Sequence, residues 1–368
     1  MSLQDELDRL SKPGVLVEER ADGSVQCQAC GHQCLIKPGQ RGVCKIRFNQ
    51  KGTLKVPWGY VSSLQVDPVE KKPFYHFLAG SEALTFGMLG CNLKCGYCQN
   101  WLTSQALRET GTDRLADHLR ELSPEEIISY GLEYGTALVA SSYNEPLITS
   151  EWARDIFNQA KQSDIKTVYV SNGFGTHQVL DYLNPVLDGF KVDLKTMQES
   201  HYRELGARLQ PVLDSIQYAH KLGMWVEIVT LLVPGFNDSP GELEDMAKFI
   251  QSVSPEIPWH ITAFRPEYKM KERARTSAAQ ILKGVEIGYQ HGLQYVYGGN
   301  LPGSLGKYEN TNCHHCQAPL IKRRGYLIQQ YRITGKGTCP DCGTRIPGVW
   351  TKKPSTKKPI RSGFPMIL

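Results

Sequence analysis

Short apolar runs alternate with amphipathic segments between residues 81 and 300. The apolar runs are rich in β-branched and aromatic residues and end in Gly, Pro, Asn or Asp, which is typical of buried strands. Six strands are predicted, ALTFGMLG, ALVASSYNEP, TVYVSNG, GFKVDL, MWVEIVTLLVPG and WHITAF, with YVYGG as a candidate last strand. Helices are predicted between them. In SPEEIISYGLEYG, Ser123 and Glu126 form a capping box, and PVLDSIQYAHKLG ends at Gly223.

This alternation of strands and helices predicts an α/β protein with a parallel sheet and right-handed crossovers. Six such units form a partial (β/α)6 barrel. In barrels of this kind the functional residues collect at the carboxyl ends of the strands. The polar motifs of this segment fall at predicted strand ends, so the mouth of the barrel is the expected site.

The chain has 368 residues, of which 40% are hydrophobic and 21% are charged, so it can bury a large core. It contains no apolar stretch of membrane-spanning length, and its polar beginning, MSLQDELDRLSKPG, does not resemble a signal peptide. Eleven cysteines group by spacing into sets of four, three and four. Because thiols stay reduced in the cytosol, such sets indicate metal binding rather than disulfides, and a cytoplasmic metalloenzyme is predicted.

The central set, Cys91, Cys95 and Cys98, forms C-x-x-x-C-x-x-C directly after the first predicted strand. Three thiolates hold three irons of a four-iron cluster and leave the fourth iron without a protein ligand. A small molecule with adjacent amine and carboxylate groups can chelate that iron, whereas a fourth cysteine would make a closed electron-transfer site. Three unrelated cysteines, or part of a zinc site, are the alternatives. The spacing therefore predicts a catalytic [4Fe-4S] cluster with an open iron.

Polar residues end the next three predicted strands. Asn144 and Glu145 close the second strand and suit a cationic amino group. Asn172 closes the third and can hydrogen-bond a ribose or a carboxylate. On the fourth, Asp193 can accept from a hydroxyl and Lys195 can pair with an anion, because alternation puts both on one face. The alternatives are plain turns for the first two and a structural salt bridge for the third.

Four cysteines near the C-terminus form two C-x-x-C pairs separated by 22 residues: Cys313, Cys316, Cys339 and Cys342. Paired knuckles with such a spacer are typical of a zinc ribbon, with iron as the alternative metal. His314 and His315 lie inside the first pair and are predicted to be exposed rather than ligands.

A second quartet precedes the barrel and has uneven spacing: Cys27, Cys30, Cys34 and Cys44. Zinc is the favoured interpretation for this quartet. An auxiliary iron-sulfur cluster is the next alternative, and an unmetallated group is the third.

Charge is distributed unevenly along the chain. Residues 313–368 carry eleven Lys and Arg against the single acid Asp341, although the net charge of the whole chain is only +5. The last segment, VWTKKPSTKKPIRSGFPMIL, shows little periodicity and is predicted to be an extended basic arm, either solvated or in contact with an acidic partner or nucleic acid. The expected organisation is an N-terminal four-cysteine module, a barrel, a zinc-ribbon-like module and a basic tail, at residues 1–80, 81–300, 301–351 and 352–368.

The central motifs resemble those of the radical S-adenosylmethionine (SAM) enzymes, in which an aromatic residue, here Tyr97, precedes the last cysteine. Pyruvate formate-lyase activating enzyme is similar in CQN, YNEP, SNG and DLK. The radical SAM component of the AmmeMemoRadiSam system is more similar, in CQACGHQC, GQRGVC, VDPVEKKPFYHFLAGS, GCNLKCGYCQNW, SYNEP, VYGGN and ENTNCHHC. The resemblance implies a [4Fe-4S] cluster and SAM as cofactors. It also implies that SAM is bound by Tyr97, Asn144, Glu145, Asn172, Asp193 and Lys195.

The resemblance further implies an oxidoreductase that cleaves SAM reductively to a 5′-deoxyadenosyl radical, which abstracts hydrogen from an unidentified substrate. Its expected partners are a low-potential electron donor and Memo-like and AMMECR-like proteins. Three alternatives stay open. They are a glycyl-radical enzyme activase, an RNA-modifying enzyme that uses the basic tail, and a non-catalytic metal-binding scaffold.

Overall fold

The computed structural model describes residues 2–351 and the backbone of residues 362–364. Apart from that short backbone segment, the predicted basic tail at 352–368 lies outside the described residues. The chain begins with one helix and seven short strands: α1 (Leu3–Arg9), β1 (Ser11–Pro13), β2 (Val17–Glu19), β3 (Val25–Cys27), β4 (Leu35–Ile36), β5 (Phe48–Gln50), β6 (Thr53–Pro57) and β7 (Tyr60–Val61). They form two small antiparallel sheets, in the orders β1-β6-β5 and β2-β3-β4, while β7 pairs elsewhere.

The middle of the chain contributes nine strands: β8 (Ser63–Pro68), β9 (Glu82–Gly87), β10 (Arg120–Glu121), β11 (Leu138–Ser141), β12 (Lys166–Ser171), β13 (Gly189–Asp193), β14 (Trp225–Leu232), β15 (Trp259–Ala263) and β16 (Val296–Gly299). Of these, β10 pairs only with β7. The other eight belong to the central sheet, so the sheet already begins with β8, inside the segment assigned from sequence to the N-terminal module.

Strand order in the central sheet follows the chain. From one edge the order is β16-β15-β14-β13-β12-β11-β9-β8, and residues 362–364 add a last strand beside β8. The seven strands from β9 to β16 are parallel, and β8 is antiparallel to β9. An order without reversal is that of a barrel wound in one direction. The predicted α/β fold with a parallel sheet is confirmed, and YVYGG is the last parallel strand.

Helices connect the parallel strands. They are α2 (Trp101–Ser104), α3 (Pro124–Glu133), α4 (Ser150–Gln162), α5 (His177–Leu183), α6 (Glu199–Glu204), α7 (Leu209–Lys221), α8 (Pro240–Val253) and α9 (Ala278–Gln290). Short 3₁₀ turns cover Val69–Lys71, Asp113–His118, Pro146–Thr149 and Gly306–Glu309. Both bonds of the predicted capping box between Ser123 and Glu126 are present. Gly223 follows α7 with φ +83°, a left-handed conformation that glycine adopts without steric cost.

The C-terminal region forms a three-stranded antiparallel sheet of β17 (Thr311–Asn312), β18 (Pro319–Arg324) and β19 (Leu327–Tyr331). Buried polar contacts join it to the loop after β8. Arg323 donates to the Tyr75 carbonyl over 3.1 Å and to the Thr311 hydroxyl over 2.8 Å. His76 Nδ1 lies 2.6 Å from the Pro347 carbonyl oxygen. The C-terminal sheet is therefore part of the same packed body as the barrel.

Within the described part of the chain, no helix is long and apolar enough to cross a membrane.

A buried ion pair joins the N-terminal region to the barrel. Arg47 is 1% exposed and donates to both carboxylate oxygens of Glu151, in helix α4, over 2.7 and 2.8 Å. It also donates to the Ile148 carbonyl over 3.2 Å. Removing one partner of such a pair leaves the other charge buried without compensation.

Glu151→Ala should therefore lower the free energy of unfolding by about 3–5 kcal/mol, measured by anaerobic urea titration of the reconstituted protein. The double variant Arg47→Met/Glu151→Leu removes both charges and is the matched control. The double variant should lose much less free energy of unfolding, because two apolar side chains of similar volume can fill the space. Wild-type stability of the single variant would show that the pair does not hold the two regions together.

Candidate active site

A cavity of about 480 Å³ opens at the carboxyl ends of the parallel strands. Side chains from six successive strands, β11 to β16, or from the loops that follow them, line it together with the loops after β8 and β9. A flat sheet cannot direct so many strands at one space, so the sheet must curve around it. All nine site residues predicted in the barrel line this one cavity: Cys91, Cys95, Tyr97, Cys98, Asn144, Glu145, Asn172, Asp193 and Lys195.

The three cysteines lie in the irregular loop that leaves β9. Gly90 has φ +92° immediately before Cys91, so the chain turns sharply there, and a Cβ at this position would lie 3.0 Å from the Ile46 side chain. The Leu93 N–H lies 3.4 Å from Cys91 Sγ, and Cys98 Sγ lies 3.2 Å from the Ser104 hydroxyl. The loop thus directs its thiols into the cavity and gives two of them polar neighbours.

The surroundings of these thiols fit the predicted four-iron cluster. Burial raises the pKa of the Cys95 thiol to about 11, so a thiolate at this position needs the positive charge of a bound metal. Among the described residues, Asn92 Nδ2 is buried and finds no hydrogen-bond acceptor, although its Oδ1 lies 3.8 Å from Cys91 Sγ. The sulfurs of an iron-sulfur cluster accept hydrogen bonds from amide donors of this kind.

Glu145 is buried after β11 and has three protein donors. The Ser171 hydroxyl donates over 2.7 Å, and the backbone N–H groups of Asn172 and Leu147 donate over 2.8 and 3.1 Å. Burial raises the pKa of Glu145 to about 7, and these three hydrogen bonds offset part of that rise. A carboxylate has about four acceptor positions, so one is left for a cation in the cavity.

Two asparagines brace the cluster loop from neighbouring strand ends. Asn144 Oδ1 accepts from the backbone N–H of Met88 over 3.1 Å. Asn172 Nδ2 donates to Asn92 Oδ1 over 2.7 Å and lies 3.8 Å from Cys91 Sγ. Both side chains line the cavity, but the bonds they make in the structure hold the loop in position.

Asp193 lies between two lysines of β13 and the loop after it. Its carboxylate accepts from Lys191 and, over 3.3 Å, from Lys195. Burial alone would raise the pKa of Asp193, but the two ammonium groups hold it below its usual value. Asp193 and Lys195 line the same cavity, and the salt bridge considered as an alternative is also present. These contacts fit both interpretations of Lys195, as the partner of an anion and as part of a structural salt bridge.

Tyr97 is 4% exposed and packs edge-on against Phe236 with ring centroids 5.9 Å apart. This packing places the aromatic residue of the motif against the wall of the cavity.

Sequence reasoning assigned no role to four further residues that line the cavity: Lys72, Tyr143, His260 and Tyr326. Lys72 lies in the VDPVEKKPFYHF motif, which was quoted only for its resemblance. Tyr326 comes from the turn between β18 and β19, so the C-terminal sheet contributes to the wall. The sequence signal for Lys72 was the Lys71-Lys72 pair in this motif. The sequence contains no comparable signal for Tyr326.

The C-terminal cysteines form a compact group. Sγ atoms of Cys313 and Cys342 are 3.6 Å apart, those of Cys316 and Cys339 are 3.7 Å apart, and all four lie within 4.8 Å of one another. Tetrahedral zinc with Zn–S bonds of about 2.3 Å places its sulfurs about 3.8 Å apart, so the group fits such an ion. His315 is exposed, and His314 Nδ1 lies 2.8 Å from the Tyr295 hydroxyl. Neither histidine belongs to the group.

The N-terminal cysteines lie in neighbouring segments of one region. The Cys27 N–H donates to the Cys34 carbonyl over 2.9 Å, and the Val43 N–H lies 3.5 Å from Cys34 Sγ. Zinc stays the favoured prediction for this quartet, with an auxiliary iron-sulfur cluster and an unmetallated group as the alternatives. Their loop lies against the cluster loop, since His32 Nε2 is 2.9 Å from the Asn92 carbonyl. It also contacts the loop after β12, where the Gly31 N–H donates to the Phe174 carbonyl over 3.0 Å.

Comparison with known proteins finds relatives in sequence and in structure. Residues 86–250 match the family model described as the radical SAM superfamily. An uncharacterized protein of Methanocaldococcus jannaschii is 35% identical over 338 residues, which cover 91% of this chain and 98% of that protein. The pyruvate formate-lyase-activating enzyme of Listeria monocytogenes is 28% identical over 50% of this chain and 77% of its own. A radical SAM methyltransferase from Sphaerobacter thermophilus superposes with a TM-score of 0.47 at 15% identity, covering 61% of this chain and 68% of that one.

The chain belongs to the radical SAM superfamily and is related to the pyruvate formate-lyase activating enzymes. It is therefore an enzyme of the radical SAM type. The family implies a [4Fe-4S] cluster and SAM as its cofactors.

Lys195→Met and Glu145→Gln should each weaken SAM binding by roughly 10- to 100-fold, because a charge-assisted hydrogen bond contributes about 1.5–3 kcal/mol. Titration of SAM against the reduced cluster, followed by EPR, measures this, and the cluster absorbance should be unchanged. Lys94→Met removes the same charge from an exposed position in the cluster loop and should bind SAM normally. Unaltered titrations in both test variants would mean that the two residues only support the barrel.

Cys316→Ser should remove about one equivalent of zinc from the purified protein and leave its iron content unchanged, because the C-terminal quartet has zinc-like spacing. Elemental analysis after anaerobic reconstitution measures both metals in one sample. Loss of iron instead of zinc would identify the C-terminal quartet as an iron site.

Proposed function

We propose that Cys91, Cys95 and Cys98 ligate the [4Fe-4S] cluster of a radical SAM oxidoreductase and that the strand-end residues around them bind SAM. The observation that carries this proposal is the convergence of three thiols, a carboxylate, two amides and an Asp–Lys pair on one cavity. A scaffold protein would not need this set, since a ligand-free iron serves no purpose in assembly.

When bound, the cluster supplies one electron to SAM, whose cleavage gives methionine and a 5′-deoxyadenosyl radical. The protein residues orient and enclose the reactants. Glu145 offers its remaining acceptor position to the SAM amino group. Lys195 is positively charged for the SAM carboxylate, and Asp193 accepts from a ribose hydroxyl. Tyr97 and the apolar walls of the barrel keep water away from the reacting atoms.

The substrate gives a hydrogen atom to the 5′-deoxyadenosyl radical inside the same cavity. The sequence resemblance favours a role for this reaction in the AmmeMemoRadiSam system. Memo-like and AMMECR-like proteins would then act on the same substrate or product, and a low-potential donor would reduce the cluster. Glycyl-radical activation is a second candidate, supported by the similarity to an activating enzyme over half of the chain.

We assign zinc to the C-terminal quartet on its sulfur spacing. Its sheet contributes Tyr326 to the cavity wall, so the metal would stabilise one side of the active site. For the N-terminal quartet, zinc is the first candidate metal and an auxiliary iron-sulfur cluster is the second.

Cys95→Ala should abolish 5′-deoxyadenosine production from SAM and dithionite, because two thiolates hold a four-iron cluster poorly. Chromatography of the anaerobic reaction measures the product. Cys316→Ser changes a cysteine outside the barrel and should keep this activity. If Cys95→Ala retained both the visible absorbance of the cluster and wild-type output, the ligand assignment would be wrong. Transfer of deuterium from a labelled candidate into 5′-deoxyadenosine would identify the substrate.

A further inference from the structure

Two buried lysines line the cavity on the inner side of the proposed SAM site. Lys191 precedes Asp193 by two residues on β13, so it lies roughly 7 Å further from the carboxyl end of the strand. Lys72 follows β8, and its side chain is 3% exposed, while that of Lys191 is 5% exposed. Both side chains line the cavity.

The ammonium group of Lys72 has two protein partners. It donates to Asp67 over 3.2 Å and to the Tyr143 hydroxyl over 2.9 Å, so one of its three N–H donors is left. Tyr143 holds this position with φ +70°, a strained conformation for a residue with a side chain. Lys191 bonds only to Asp193 among the described residues, which leaves two of its donors without an acceptor.

Positive charge exceeds negative charge at this end of the cavity. Three buried ammonium groups, those of Lys72, Lys191 and Lys195, share the two carboxylates of Asp67 and Asp193. Lys71 also pairs with Asp67, but its side chain is 38% exposed and is therefore solvated. Three other ionisable groups nearby are engaged elsewhere: Glu70 lies against Arg323, His260 pairs with Glu227, and Glu145 accepts three bonds on the cluster side. Burial and the neighbouring Asp67 raise the pKa of Glu82 to about 7, and Arg265 adds a further cation to the cavity lining.

A charged N–H donor that is buried without an acceptor is costly. Burial lowers the pKa of Lys72 to about 8, and the attraction of Asp67 only partly offsets this effect. The SAM carboxylate can compensate Lys195 at the cluster side. Asp67 and Asp193 then remain as partners of Lys72 and Lys191, but the N–H donors that these two lysines do not use still line the cavity without an acceptor among the described residues.

We propose that Lys72 and Lys191 bind an anionic group of the substrate, a carboxylate or a phosphate, with the Tyr143 hydroxyl as a further contact. The proposal rests on the proposed function, because it treats this cavity as the place where the substrate meets the radical. A substrate anchored by its anionic group at the inner end extends its other end toward SAM. The substrate class is therefore a small carboxylic acid or phosphate ester that fits within the barrel.

Calorimetric titration of the SAM-loaded, reconstituted enzyme with inorganic phosphate and, separately, with malonate tests this proposal. Wild-type protein should bind at least one of the probes, and the tighter probe indicates which anion the site prefers. Lys72→Met and Lys191→Met should each weaken that binding by at least tenfold. Lys166→Met, on the neighbouring strand but paired with Asp188 outside the cavity, is the matched control and should bind like wild type.

A second measurement covers the case in which the variants fold poorly. Wild-type crystals soaked in selenate should give an anomalous peak between the two ammonium groups of Lys72 and Lys191. Absence of that peak, absence of probe binding to wild type, or equal affinity in folded variants would overturn the proposal. Production of 5′-deoxyadenosine in the same samples tests the proposed function separately, since it does not require the substrate.

Discussion

Parallel pairing of seven strands is the constraint on which the active site depends. Because neighbouring strands run in one direction and follow chain order, their carboxyl ends meet at one rim. Side chains that are far apart in sequence, such as Cys91 and Lys195, are thereby brought to one cavity. Curvature of the sheet then directs them inward, where burial strengthens every charge interaction that they make.

Burial also explains how the charged groups of the cavity are arranged. Glu145 is surrounded by three donors, and Asp193 is placed between two ammonium groups, so each carboxylate has partners before any ligand enters. Lys72 and Lys191 keep donors that no described residue accepts. The carboxylates of the cavity thus have hydrogen-bond donors within the protein, whereas two of its lysines have N–H groups without acceptors. This arrangement suits an anionic ligand.

Both cysteine-rich modules are attached through buried arginines. Arg47 joins the N-terminal region to Glu151 of helix α4, and Arg323 joins the C-terminal sheet to Tyr75 in the loop after β8. A guanidinium group offers several directed donors, so one side chain can fix the orientation of a module. The N-terminal module lies against the cluster loop, and the C-terminal module supplies Tyr326 to the cavity.

The sequence alone determined the local features: the C-x-x-x-C-x-x-C loop, the parallel strands, the capping box at Ser123 and the zinc-like spacing of the C-terminal quartet. These follow from spacing and periodicity, which are properties of neighbouring residues. The tertiary structure decided the rest. It added β8 to the sheet, brought Lys72 and Lys191 to one cavity, and placed Tyr326 of the C-terminal sheet in the wall of that cavity. Such features depend on distances between distant segments, and those distances are set by packing of the whole chain rather than by any local pattern.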